Sequence, residues 1–197
     1  MPLQSDRVIV VATNNKHKLK EIRQILEGFK VLSASDVVEG FNPSEDGKTF
    51  CENSLIKAKA LAEFSQYPVL ADDSGLEVFS LGGEPGVYSS RYSSSGLDED
   101  NIKKLLERLK GEVDRRARFS CCMSLIVGGC IIQKEGYVYG VIIDKPIGDN
   151  GFGYDPIFVP DGYDMTFAQM SQDQKNAISH RRRALAMIKE ELEKIYG

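Results

Sequence analysis

The sequence has 197 residues, 42% of them hydrophobic and 27% charged, with a formal net charge of −4. That length supports one domain, or two small lobes sharing one sheet, around a substantial core. The acidic balance argues against broad nucleic-acid binding, and no apolar run approaches the ~18 residues of a membrane span. Residues 1–7 lack the basic-then-apolar layout of a secretory signal, so a cytoplasmic location is expected. Four cysteines, Cys51, Cys121, Cys122 and Cys130, lack metal-type spacing. Cys121 and Cys122 would face opposite sides of a strand, and all four read as reduced packing residues.

Residues 7–12 (RVIVVA) form a short β-branched run that predicts a buried strand. Thr13, Asn14 and Asn15 then offer caps for a helix with Leu19, Ile22, Ile25 and Leu26 on one face. Lys16, His17 and Lys18 occupy its first turn. A strand, a polar turn and a helix start with unsatisfied N–H groups make a natural phosphate cradle. It is not a Walker loop, since GxxxxGK[ST] is missing, and an ordinary capped helix start is the alternative. Residues 29–38 predict a second strand and its exit. Residues 40–48 form a loop carrying Glu45 and Asp46, and Thr49 with Glu52 makes a capping box for a helix reaching about residue 65. Glu52 thus reads equally as a cap or a metal ligand. Asn53 and Lys57 share a helix face, which puts Lys57 within reach of the site of Glu45.

Residues 68–71 are apolar and residues 76–79 alternate, predicting two strands joined by a turn at Asp72-Asp73-Ser74-Gly75. Adjacent carboxylates repel unless a cation or proton is shared, and an oxygen-only cluster suits Mg²⁺. A solvated turn is the alternative. Residues 81–92 form a Gly/Pro-rich loop ending in Arg91, and residues 98–110 an amphipathic helix closed by Gly111. Residues 116–127, 130–134 and 137–143 predict three antiparallel strands, turning at Gly128-Gly129 and at Glu135-Gly136. In the loop of residues 147–158, glycines around Phe152 and Tyr154 allow close backbone approach and leave aromatic faces for a flat ligand; a plain turn fits equally well. Residues 165–170 predict a helical turn, and Ser171 an N-cap. The last helix starts near Ser179-His180-Arg181 and buries Leu185, Ile188, Leu192 and Ile195. Basic residues at a helix N-terminus oppose its dipole unless an anion is present, which hints at function; a solvated basic patch is the alternative.

Six stretches, ATNNKHKLKE, EDGKTFCENSLIKAKA, ADDSGLEV, LGGEPGVYSSRY, GFGYDPIF and SQDQKNAISHRR, span residues 12 to 182. In their order and spacing they resemble the Ham1/RdgB/inosine triphosphatase family, pyrophosphatases of non-standard purine nucleoside triphosphates. The resemblance implies a single α/β domain over residues 1–197. It implies an elongated mixed β-sheet with flanking helices forming two lobes around a cleft, and a homodimer. The implied reaction is Mg²⁺-dependent hydrolysis of XTP, ITP and dITP to the monophosphate and pyrophosphate, without nucleic-acid or membrane partners. By motif position, Thr13, Asn14, Asn15, Lys16, His17, Lys18 and Lys57 would hold the triphosphate, and Glu45 with Asp73 the metal. Asp73 would also accept the proton, with Asp72 and Glu52 in support. Ser74 would touch substrate, and Phe152, Gly153, Tyr154, Asp155, Lys175, His180 and Arg181 would bind the base. The sequence departs from the family pattern at Ser90, where alanine is usual, and at Gln169, where glutamate is usual; Gln169 is given no role. Two other classes fit parts of the pattern: an aspartyl-phosphate phosphatase and a non-catalytic nucleotide-binding module.

Overall fold

The computed structural model describes residues 7–197. Its elements are β1 (Val8–Val11), α1 (Lys16–Ile25), β2 (Lys30–Ser33), α2 (Phe50–Ala62), β3 (Val69–Val78), α3 (Asp98–Arg108), β4 (Arg116–Val127), β5 (Cys130–Ile142), β6 (Phe158–Pro160), α4 (Gln172–Ile178) and α5 (His180–Tyr196). The strands form one six-stranded sheet in the order β2-β1-β3-β4-β5-β6. β1 pairs in parallel with β2 and β3, and β6 pairs antiparallel with β5, so the fold is mixed α/β as expected. No helix among the described residues is long and apolar enough to cross a membrane.

The chain divides into two compact units. The first holds the chain up to Asp73 with Cys121–Gly136 and Arg182–Gly197; the second holds Ser74–Ser120 and Tyr137–Arg181. In the first unit β1 is buried on both faces, as its unbroken Val/Ile run requires. Ile9 and Val11 pack with Ile22 and Leu26 of α1 and Leu185, Ile188 and Leu192 of α5. Val10 and Ala12 pack on the other side with Ala58 and Leu61 of α2. The second unit closes around Leu76, Val78, Leu105, Phe119, Phe158 and Phe167.

Three expectations are corrected. Residues 69–78 are one unbroken strand, with no turn at Asp72-Asp73. Neighbouring side chains on a strand point to opposite faces, so the two carboxylates do not face each other. Each meets its own lysine, so their repulsion is answered within the strand and the local turn preference of Asp-Asp-Ser-Gly is overridden. Second, β5 runs through Glu135-Gly136 without turning. The expected turn at Gly128-Gly129 does form: φ is 55° and 82°, as a two-residue hairpin turn requires. Elsewhere in β5 a glycine marks close approach, since a Cβ on Gly140 would lie 2.2 Å from the Val159 carbonyl oxygen on β6.

Third, the cysteines are not all reduced. Cys51 at the start of α2 is disulfide-bonded to Cys122 on β4, across 71 residues of sequence, while Cys121 and Cys130 remain thiols. Cys121 belongs to the core beside α1 and α5, so the adjacent cysteines do face opposite ways. A bond between residues so distant in sequence leaves no spacing signal. Closing a loop of this length restricts the unfolded chain, and opening it by Cys51→Ser or by dithiothreitol should lower the unfolding free energy by about 2–4 kcal/mol. Urea melts in both redox states measure this, and equal midpoints would show that the bond adds no stability.

Candidate functional site

The site residues of the first unit gather around the end of β1, the buried polar face of α2 and the middle of β3. After β1, the Thr13 hydroxyl accepts from the Asn15 N–H at 3.1 Å. The Asn15 side chain caps α1, accepting from the N–H groups of His17 (2.9 Å) and Lys18 (3.1 Å). Those two groups are thus held by the cap rather than left unsatisfied, and the cradle's positive charge rests on its lysines. Lys16 is exposed. Lys18 turns inward, its Nζ 3.1 Å from Oδ2 of the fully enclosed Asp72. Thr13, Asn14 and Lys16 line a depression of about 640 Å³ together with Lys20, Arg23 and Ser33.

The nearby centre is Lys57. Its Nζ lies 3.0 Å from Oε2 of Glu45 and 3.3 Å from Oδ1 of Asp73. Lys57 is 8% exposed and Asp73 equally so. Burial opposes the charge on Lys57, but Asp73, Asp72 and Glu45 together outweigh it and hold its pKa above the usual lysine value. For Asp73 the balance falls the other way. Burial, with a smaller push from Glu45, raises its carboxyl above the ordinary carboxylate range despite Lys57, Lys18 and a hydrogen bond from Asn53.

Two carboxylates converging on one cation give an oxygen-only donor set. That suits a hard divalent ion, which takes one or two protein carboxylates and completes its shell with water and phosphate. The residues therefore fit a Mg²⁺ ion. Among the described residues, one cluster of three metal-type side chains occurs, Cys51, Cys122 and Glu135. Its two sulfurs are joined to each other, so they are not thiolate ligands.

Glu52 resolves toward its structural role. Its carboxylate accepts from the Lys48 N–H at 2.6 Å, while the Thr49 hydroxyl accepts from the Glu52 N–H at 3.1 Å. The residue missed in the sequence is Asn53, fully buried, whose side chain joins Asp73 to the Gly47 backbone. Its only sequence signal is its place one helical turn before Lys57.

In the second unit the loop before β6 is fixed from inside. One carboxylate oxygen of Asp155, Oδ2, accepts from the Phe152 N–H at 2.9 Å and from Lys175 Nζ at 2.6 Å. The Gly153 N–H donates to Asp98 on α3 at 2.6 Å, and the Tyr154 hydroxyl donates to the Ser89 carbonyl at 2.9 Å. Tyr154 is a core residue, 3% exposed, and its ring offers no open face. The half-buried Phe152 is the more exposed of the two. Cations gather around it, with Lys175 Nζ 4.7 Å and Arg181 Cζ 5.9 Å from its ring centroid.

Arg181 begins α5 beside His180 and donates to the Ser74 hydroxyl at 3.0 Å. His180 stacks on Phe119, with centroids 5.0 Å apart and planes 11° from parallel. The fold therefore brings Ser74, Phe152, Asp155, Lys175 and Arg181 together and turns Tyr154 inward. A larger groove of about 840 Å³ beside α3, lined by Ile102, Lys103 and Leu106, contains none of the expected site residues.

The Asp155–Lys175 pair is almost completely enclosed, at 3% and 4% side-chain exposure. Removing one charge of such a pair leaves the other enclosed with less opposing charge. Asp155→Asn should therefore destabilise the protein by about 3–5 kcal/mol, measured by chemical denaturation; a loss below ~1 kcal/mol would show that Lys175 is compensated elsewhere.

The Ham1 family model matches residues 9–191. A Staphylococcus aureus protein named dITP/XTP pyrophosphatase is 45% identical over 188 residues, covering 94% of this chain and 96% of that protein. A Staphylococcus epidermidis protein of the same name is 46% identical over 187 residues, covering 94% and 96%. Among solved structures, that of the Staphylococcus aureus Ham1 protein superposes with a TM-score of 0.87 at 44% identity, covering 95% of this chain and 98% of the other.

Proposed function

The chain belongs to the Ham1 family, and on that premise we propose that it hydrolyses the non-standard purine nucleoside triphosphates XTP, ITP and dITP. The products are the monophosphate and pyrophosphate. The observation that carries this reading is the convergence of Glu45 and Asp73 on Lys57 beside a lysine-bearing helix start. A phosphoanhydride hydrolyses slowly because water must approach a polyanion, and the remedy is fixed positive charge plus a positioned proton acceptor.

Glu45 and Asp73 would hold Mg²⁺, which when bound neutralises triphosphate charge and acidifies water. Lys57, Lys18 and Lys16 add fixed positive charge, with Thr13, Asn14, Asn15 and His17 shaping the loop around the phosphates. Asp73 takes the proton from the attacking water at its carboxylate. Asp72 holds Lys18, and Ser74 touches substrate.

At the base, Phe152 stacks on the purine. Arg181, Lys175 and His180 offer donors to the six-position oxygen of hypoxanthine or xanthine, and Asp155, Tyr154 and the Gly153 N–H fix the loop. The amino group of adenine sets donor against donor, a mismatch that hydrogen-bonding sites reject by ~10⁴ or more. We place the protein in the cytoplasm, acting as a single catalytic domain and as a homodimer without nucleic-acid or membrane partners. Exposed Phe79 and Tyr139, with ring centroids 6.4 Å apart, offer an aromatic surface for a second copy.

The test is a product assay on ITP, XTP, GTP and ATP, with and without Mg²⁺. Pyrophosphate should be released from ITP and XTP only with the metal, and Asp73→Asn should lower the rate by about 10²–10⁴-fold. Release of single phosphates through a trapped phosphoenzyme would instead mark an aspartyl-phosphate phosphatase. Binding without turnover would mark a nucleotide-binding module.

A second prediction concerns the base. Arg181→Gln shortens the side chain and removes the charge while keeping one amide donor group, so the preference for ITP over ATP should fall by about 10-fold, the scale of one hydrogen bond to a charged group. Equal losses in kcat/KM on both substrates would mean that Arg181 serves phosphate or structure.

A further inference from the structure

We propose that Asn53 is a positioning residue, one that fixes the Asp73 carboxylate and the Glu45 loop as a single rigid unit. The inference rests on the catalytic reading of Asp73 given above. Asn53 has no exposed surface, so it cannot touch substrate, and its side chain bridges two segments far apart in sequence. Its Nδ2 donates to Asp73 Oδ2 at 3.1 Å, and its Oδ1 accepts from the Gly47 N–H at 2.8 Å.

The two bonds determine each other. A backbone N–H can only donate and an ionised carboxylate can only accept, so the amide has one orientation that satisfies both. A flipped amide would set donor against donor and acceptor against acceptor. A carboxamide is thus the side chain whose opposite ends suit these two partners. On the same face of α2, one turn later, Lys57 binds the other Asp73 oxygen at 3.3 Å. One helix therefore holds both oxygens of the carboxylate.

The loop end is equally constrained. A Cβ on Gly47 would stand 2.7 Å from Asn53 Oδ1 and 2.8 Å from the Glu52 Cβ, so only glycine lets the loop approach closely enough to bond. Gly47 is two residues from Glu45, whose carboxylate meets the same Lys57 Nζ at 3.0 Å. Through Asn53, the distance between the two proposed metal-binding carboxylates depends on an amide rather than on their own mutual repulsion.

The experiment compares Asn53→Leu, which fills the space without either hydrogen bond, with Gly47→Ala, which presses on the same brace from the loop. Asp73→Asn is run in parallel. Residues that orient metal-binding or catalytic groups typically contribute about 10–100-fold in affinity or activity. Asn53→Leu should therefore lower kcat on ITP by at least about 10-fold while KM stays within about 3-fold. Mn²⁺ affinity without nucleotide, read by electron paramagnetic resonance, should weaken in both variants, and their combined effect should be less than additive.

Wild-type kcat and Mn²⁺ affinity in folded Asn53→Leu, even with a lower melting temperature, would overturn the proposal and leave Asn53 a core residue. Should Asn53→Leu not fold, Gly47→Ala decides on the same two readouts. If those results arise while Asp73→Asn is inactive, the positioning role alone fails. An active Asp73→Asn would remove the catalytic reading and this inference with it.

Discussion

The arrangement depends on a buried lysine. Enclosing an ammonium group in a protein interior is costly unless carboxylates stand against it with good geometry. Lys57 meets that condition through Glu45 and Asp73, which arrive from different parts of the chain. Satisfying one charge thus ties the loop before α2 to the centre of β3. The disulfide anchors the same helix to β4 from its first turn, and Ser54 adds a hydrogen bond to Ser124 at 2.7 Å. α2 has a weakly segregated sequence, with Asn53, Ser54 and Lys57 all buried. Its place is held by specific polar and covalent bonds as well as by Ala58 and Leu61.

The second unit applies the same physics to another end. Lys175 and Asp155 are buried together, but this carboxylate also accepts the Phe152 N–H, so the ion pair sets a loop rather than a reactive group. Gly151 makes this possible: a Cβ there would lie 2.0 Å from Asp155 Oδ2, and its φ of +78° suits glycine. Lys175 and Arg181 beside Phe152 give its ring both an orientation and a positive surround.

Much of the fold was legible because burial and capping leave local signatures. The Val/Ile run of β1, the Asn15 and Ser171 caps and the apolar face of α5 at Leu185, Ile188 and Leu192 each read from a few neighbouring residues, although Ile195, expected on that face, is exposed. The failures share one cause. Asp-Asp-Ser-Gly and Glu-Gly favour turns locally, but β3 and β5 continue through them because distant partners decide: Lys18 and Lys57 for the aspartates, and a buried strand position for Gly136. Cys51–Cys122 and Asn53–Asp73 were illegible for the same reason, being contacts with no local pattern. The Lys57–Glu45 contact was accessible because helical spacing aimed Lys57 toward the acidic loop. Motif order suggested Tyr154 as a base contact, but it could not distinguish an aromatic that faces ligand from one that completes the core.

The opposing balances at Lys57 and Asp73 express one electrostatic fact. Three carboxylates, Glu45, Asp72 and Asp73, act on Lys57, whereas Asp73 feels two lysines, a further carboxylate and its own burial. A raised lysine pKa makes the charged form stabilising at all pH values below the unfolded value, and that contribution is lost only as pH climbs through the folded one. A raised aspartate pKa has the opposite consequence near neutrality. The folded state favours the proton, so ionising Asp73 lowers stability as pH rises through its folded value. Asp73 is thus discouraged from ionising chiefly by its burial, which its two lysines and the Asn53 hydrogen bond do not fully offset. On the proposed function, a cation held by Glu45 and Asp73 would offset that cost by favouring the ionised carboxylate, and an incoming triphosphate would in turn balance the cation.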